Sequence, residues 1–145
     1  MEDKAGKVNM NFILKYIKTE QFAIFEENLI EGEPINLSTS LSCGLNAGEK
    51  LFISTVKCTF EINEKPFITI QVSCYYELDP TTWAELTDEN KLVIPRGFVA
   101  QTAMHCAGTI RGILHTKTED TIFNQFILPP INVDVLAGED AVFEL

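Results

Sequence analysis

Few side chains in this 145-residue chain are suited to nucleophilic, basic or metal-binding chemistry: Cys43, Cys58, Cys74 and Cys106, His105 and His115, and scattered acids. The cysteines are widely spread, with no C-x-x-C pair and no histidine at metal-ligand spacing beside them. Cys43, Cys58 and Cys74 fall in the apolar phase of three alternating segments, and Cys106 lies on an apolar helical seam. Free cysteine behaves as a small hydrophobe in such positions. A thiolate site on the shared face of the first three would lack the spacing and the histidine that metal sites use. His105 and His115 sit on one predicted helix, ten positions apart, so they point in different directions and cannot share an ion. His105 neighbours Cys106, but adjacent helical residues do not face each other. There is no phosphate-cradling glycine loop, no G-x-S-x-G elbow and no H-E-x-x-H pair, and no two acids are paired for general acid and base work. The expectation is a protein that is not an enzyme, with no cofactor, no metal and four reduced thiols. Asn36-Leu37-Ser38 fits the glycosylation pattern only formally.

Composition narrows the class. At 16.3 kDa, with 46% hydrophobic residues and a mean hydropathy of +0.07, the chain has the size and composition of one folded domain with its own core. Its net charge of −10 with only 11 basic residues argues against nucleic acid as a partner, because phosphate contacts require clustered Lys and Arg. Met1 to Lys7 contains no apolar leader core, and no stretch approaches the ~18 apolar residues of a membrane span. A cytoplasmic protein without membrane insertion is expected.

The elements that must position these residues follow from periodicity. Phe12, Leu14 and Tyr16 alternate, and the run Phe22 to Phe25 resumes after a polar break, which predicts a first strand with a bulge. Glu26 to Pro34 loses all periodicity and reads as a crossing loop. Ile35, Leu37, Leu41, Cys43 and Leu45 share one phase of the next strand. Leu51 to Ile62 buries Phe52, Val56, Cys58, Phe60 and Ile62, while Thr55, Lys57, Thr59 and Glu61 face away. A tight turn at Asn63 to Pro66 leads into Phe67 to Leu78, with Ile68, Ile70, Val72, Cys74, Tyr76 and Leu78 inward. Thr82-x-x-Glu85 is a candidate capping box for a short helix at Trp83. Pro95 suits the first turn of a long helix running to about Lys117, with Val99, Ala103, Cys106, Ile110 and Ile113 as its seam. Ala107, Gly108 and Gly112 permit close backbone approach on a neighbouring face. Val133 to Leu136 is a last short helix. The architecture is therefore α+β, a single domain over residues 1–145, with a four-stranded antiparallel sheet and a long C-terminal helix on one face, a flexible N-terminus at 1–9 and an acidic tail at 137–145.

Two surface features need partners. Arg96 to Lys117 carries three positive charges and no acid, while Glu119 to Glu144 carries six acids and no base; the two either meet across a subunit boundary or are simply solvated. Phe25, Leu29 and Ile30 lie in a loop with no obvious core to join. They either pack beneath that loop or line a binding groove or subunit contact.

The order of elements and three local stretches resemble the bacterial export chaperone SecB. Phe12-Ile13-Leu14-Lys15-Tyr16-Ile17-Lys18 with Phe22 resembles its first strand, and Glu26 to Pro34 stands in the place of its crossover loop. The helix after Pro95, and above all Leu128-Pro129-Pro130-Ile131-Asn132-Val133-Asp134-Val135-Leu136, resemble its C-terminal half. The resemblance implies an ATP-independent holdase for unfolded or precursor polypeptides, assembled as a homotetramer, a dimer of dimers, with long helices between sheets and apolar grooves beside the crossover loop. Carried over by position, Phe25, Leu29, Ile30, Phe98, Thr102 and Thr109 would line or flank such a groove.

Departures from the family bear on its export role. The crossover loop has no Trp, since Trp83 lies after the last strand, and Gln71 stands where an acid that docks the SecA translocase motor is expected. Glu20 is only near its expected place. Export with SecA as partner is the main expectation; the alternatives are a SecB-like chaperone of a toxin–antitoxin system, with an antitoxin as partner, and a module that binds a small apolar ligand.

Overall fold

The computed structural model describes residues 9–145; the expected flexible N-terminus lies outside these apart from Asn9. Four strands build the main sheet: β1 (Phe12–Ile24), β2 (Asn36–Asn46), β3 (Leu51–Ile62) and β4 (Lys65–Leu78). They lie in the order β1-β4-β3-β2, antiparallel throughout. The two-residue connection Asn63-Glu64 holds both residues in the left-handed region, at φ 53° and 65°, the backbone of a hairpin turn whose twist matches its strands. The expected bulge in β1 occurs twice, with pairing to β4 slipping between Leu14 and Tyr16 and between Thr19 and Gln21.

A further bulge corrects the sequence reading of β4. Ile68 pairs with Phe60 and Pro66 with Glu61, so Phe67 is an extra residue in the ladder. Strict alternation places Phe67 on the outer face. The bulge instead lets it join Ile68 in the core, fully buried and 4.9 Å from the ring of Phe126.

The long helix, α2 (Arg96–Lys117), lies across β3 and β4. Val99, Ala103, Cys106 and Ile110 of the expected seam are buried, and Leu114 takes the covered place expected of Ile113, which is half-buried. Small side chains set the approach: the Cys106 Sγ–H donates to the Val72 carbonyl at 3.1 Å. Of the neighbouring small residues, Ala107 is buried whereas Gly108 and Gly112 are exposed, and a side chain added at Gly112 would meet nothing within 4 Å. Among the described residues no helix is long and apolar enough to cross a membrane.

Beyond the main sheet the structure differs from expectation in two places. The short helix α1 (Pro80–Leu86) is capped by Asp79, whose carboxylate accepts from the Thr81 N–H at 3.0 Å. Thr82 is not its cap: it is buried, donating to the Asn9 carbonyl and accepting from the Asn11 N–H. The acidic tail is also not a free tail. After α3 (Val133–Ala137), Ala141–Glu144 forms β7, which pairs with β6 (Lys91–Ile94), itself paired with β5 (Thr87–Asp88), in a small second sheet.

The basic helix and the acidic segment meet within one chain. The Arg96 guanidinium donates to the carbonyls of Gly138 and Asp134, at 2.7 and 2.8 Å, and its main-chain N–H donates to the Asp140 carboxylate at 2.7 Å. Arg111 donates to the carbonyls of Leu128 and Pro129, tying the extended proline segment to the helix. The Lys117 ammonium lies 5.4 Å from the centre of the Phe22 ring, a cation–π contact.

All four cysteines are free thiols, with Cys58, Cys74 and Cys106 buried and Cys43 half-buried. Burial pushes the Cys58 thiol up to about 11, against an opposing pull from Arg111. The neighbouring Cys74 thiol, with burial, raises Cys106 well above the ordinary thiol range.

Two outcomes are expected. An acid whose folded pKa lies above its unfolded value stabilises the fold below the unfolded value, and that contribution is lost as pH rises toward the folded one. Cys58 therefore withdraws roughly 2–3 kcal/mol between pH about 9 and about 11. Urea denaturation should show stability falling across this window, less steeply in Cys58→Ala; equal slopes would rule out the thiol as the cause. Arg96→Ala should cost about 1 kcal/mol, given its exposure, and should speed hydrogen exchange over residues 133–144, which parental exchange rates would contradict.

Candidate functional site

The crossover connection is a built loop. Phe25 N–H donates to the Phe67 carbonyl at 2.9 Å and the Asn28 side-chain amide donates to the Pro66 carbonyl at 2.7 Å, so the loop is anchored on the bulged start of β4. A 3-10 turn at Glu26–Asn28 follows. The chain then reverses at Ile30 to Glu33, where the Glu33 N–H reaches the Ile30 carbonyl at 3.4 Å and Gly32 stands at φ 86°. Glycine is the residue that takes this conformation without strain.

The opposite wall comes from the end of α2. Thr118 closes the helix by donating to the Leu114 carbonyl at 2.7 Å, and the Asn124 side-chain amide donates to the His115 carbonyl at 3.0 Å. Thr121 caps a 3-10 turn at Ile122–Gln125 by accepting from the Phe123 N–H. These bonds hold Ile122 and Phe126 facing the loop. Between the walls lies an open cleft of about 460 Å³ lined by Leu29, Ile30, Ile35, Ile122 and Phe126, with Glu31 and Glu33 at its rim. Its floor is aromatic: Phe126 packs on Phe67, and Phe60 lies 6.2 Å from both. Ile30 and Ile35 are each 47% exposed and Ile122 66%, so the cleft presents apolar side chains to water.

The six residues proposed from sequence do not gather in one place. Leu29 and Ile30 line the cleft, Leu29 half-buried against the core. Phe25 lies beside the cleft, with its backbone on β4. Phe98 and Thr102 are corrected to core positions: Phe98 packs on Phe12 at 4.8 Å, and Thr102 is fully buried, donating to the Val99 carbonyl. Thr109 lies on a separate depression of about 590 Å³ with Thr19, Gly112, Ile113, Thr116 and Lys117. Ile35, Ile122 and Phe126 were missed. Isolated apolar residues beside turns carry no periodicity, and only the spacing of Ile122 and Phe126 after the helix offered a signal.

A second apolar surface flanks that depression. Leu14 pairs with Tyr76 and Ile17 with Cys74, and residues directly opposite share a face of the sheet. Both therefore lie on the helix side, yet they remain 47% and 46% exposed because α2 stops short of β1. With Ile113 and the open Gly112, they form a broad uncovered patch.

Reactive groups lie away from the cleft. His105 touches Tyr76, with 3.5 Å between Nδ1 and the phenol oxygen, and His115 faces Glu119 at 3.6 Å. Among the described residues no cluster of His, Cys, Asp and Glu could hold a metal ion.

No protein-family model and no curated protein matches the chain. Among solved structures it is similar to the Mycobacterium tuberculosis Rv1957 SecB-like chaperone, solved in complex with a ChAD peptide from the Rv1956 HigA1 antitoxin. That likeness has a TM-score of 0.52 at 14% identity, over 83% of this chain and 90% of that one. A protein of unknown function from Streptococcus agalactiae aligns at a TM-score of 0.39 and 12% identity, over 86% of this chain and 98% of that one. The four-stranded antiparallel sheet with its helices is a SecB-like fold.

Proposed function

We propose that this protein is an ATP-independent holdase that captures extended, non-native polypeptide in the cleft between the crossover loop and the turn after α2. The observation that carries this reading is the cleft itself: an anchored loop and a capped turn hold Ile30, Ile35 and Ile122 open to water above an aromatic floor. Exposed apolar side chains held in place on both sides of a trough fit a ligand that supplies apolar side chains of its own. Burying each large client side chain contributes ~1.5–3 kcal/mol, much of it offset by ordering the client. One cleft therefore binds weakly, and capture relies on several clefts in one assembly, which raise avidity by ~10²–10⁴-fold.

The patch of Leu14, Ile17 and Ile113 supports such an assembly, and we assign it to contacts between copies in a homotetramer. The fold likeness to a chaperone solved with an antitoxin peptide favours a dedicated peptide client of the toxin–antitoxin kind over export through SecA. Gln71, where an acid would dock the motor, points the same way. The cytoplasm is the compartment that suits this work.

Four outcomes are expected. The parent protein should suppress aggregation of a denatured client without nucleotide; if it gives no protection, the reading fails. Ile30→Asp and Ile122→Asp should each weaken protection about tenfold at unchanged melting temperature, whereas Leu29→Asp also costs stability, since Leu29 packs on the core. Light scattering should give a tetramer, and Ile17→Glu should lower that mass; a monomeric parent would refute the assembly. Calorimetry with SecA should detect no complex, and a micromolar one would restore the export role.

A further inference from the structure

Both histidines lie along the exposed crest of α2. Gln101, His105, Gly108, Gly112 and His115 are all exposed, and Glu119 follows just past the helix end, 3.6 Å from His115 Nε2. The crest carries no charged side chain before Glu119, because Arg96 and Arg111 are directed to main-chain carbonyls and Lys117 to the Phe22 ring. Each imidazole already has one nitrogen beside a group of its own chain. His105 Nδ1 lies 3.5 Å from the Tyr76 hydroxyl, and His115 Nδ1 lies 3.5 Å from the Asn124 amide. Nε2 of both rings is then the nitrogen left for an outside ligand. Metal-binding histidines use this arrangement, with the second ring nitrogen held by a neighbouring group.

The spacing of this crest reads the same from either end. From Gln101 to Glu119 the intervals are 4, 3, 4, 3 and 4, centred on Ile110. A surface that meets its own copy about a two-fold axis must be self-complementary, and this spacing is. When two copies of α2 lie antiparallel with the axis at the level of Ile110, Gly108 of each faces Gly112 of the other. His105 of each then comes level with His115 of the other. The glycines let the helices approach to about 8 Å, and a side chain at Gly112 would meet nothing of its own chain within 4 Å. Within one chain the two rings stand about 15 Å apart along the helix axis; between two copies they share a level.

We infer that α2 pairs antiparallel with α2 of a second copy and that each end of the pair binds a zinc ion, held by His105 of one copy with His115 and Glu119 of the other. Two imidazole nitrogens and a carboxylate oxygen are a donor set that zinc takes, with water in the fourth position. This rests on the assembly proposed above and deepens it. A dimer of dimers has more than one kind of two-fold contact, and the patch of Leu14, Ile17 and Ile113 supplies one. Gly112, which shares a depression with Ile113, carries that surface on to the crest. Neither copy alone holds the full ligand set, so zinc binds the pair more tightly than the separate chain and stabilises the assembly.

The test uses the full chain, freed of metal with a chelator and then given Zn2+ alone at neutral pH. Calorimetry should show about one ion per chain at micromolar affinity or tighter, and Zn2+ should lower the protein concentration at which the assembly dissociates by at least about tenfold. His105→Ala and His115→Ala should each abolish that binding at unchanged melting temperature, because both rings are exposed. The two variants, mixed as dissociated chains and concentrated together, tell a shared site from separate ones. Each mixed pair holds one complete site out of two, so random pairing restores about a quarter of the parental zinc. No recovery on mixing would overturn the inference. So would zinc bound undiminished by either variant, which would assign the ion to the thiols. A parent that assembles yet neither binds nor responds to Zn2+ removes this site and leaves the assembly standing. A parent that stays monomeric with and without the ion removes both, and protection of a client then tests the holdase reading alone.

Discussion

One helix is too narrow for the sheet it covers. An α-helix with its side chains is about 10 Å across, whereas four strands at ~4.8 Å spacing present a face nearly twice that width. α2 lies over β3 and β4, the two central strands, where the small side chains of Ala103, Cys106 and Ala107 bring it close. The inner faces of both edge strands are left to other solutions. On the β2 side the proline segment and α3 lean in, held by Arg111 and Arg96. On the β1 side none of the described residues takes that place, and Leu14 and Ile17 are about half exposed.

The cleft has the same origin. Past the end of α2 the lower part of the sheet would be bare, and the chain fills it with the 3-10 turn that carries Phe123 and Phe126. The bulge at Phe67 supplies an extra ring at that level, so the floor is aromatic and closely packed while the walls stay apart. A trough between two anchored segments suits an extended ligand better than an enclosed cavity does, because chain can enter and leave at both ends.

Charge within the chain is arranged around these surfaces. Arg96 and Arg111 are directed to main-chain carbonyls and Lys117 to an aromatic ring, so the basic side of α2 acts as a fastener for the C-terminal third. The acids of the crossover loop, Glu26, Glu27, Glu31 and Glu33, remain exposed around the cleft. Buried thiols and peripheral histidines contribute packing and local hydrogen bonds.

The sequence by itself determined what periodicity can carry. Period two marked Leu51 to Ile62 as a strand to the residue, and the 4-3-4-3 spacing after Pro95 marked α2 with its buried side, because each pattern reports a regular backbone meeting one apolar layer. The crossover loop with Leu29 and Ile30 was legible from its lost periodicity and its misplaced apolar residues. Tertiary structure decided the rest. Phe67 turned inward through a bulge that alternation cannot show, and Phe98 and Thr102 proved to be core because the sheet lies against that side of the helix. The pairing of β7 with β6 joins segments nearly fifty residues apart, and four-residue strands carry too little pattern to announce themselves. The cleft is the extreme case: Leu29, Ile35 and Phe126 come from separate turns, and only long-range packing, which no local pattern encodes, brings them to one trough.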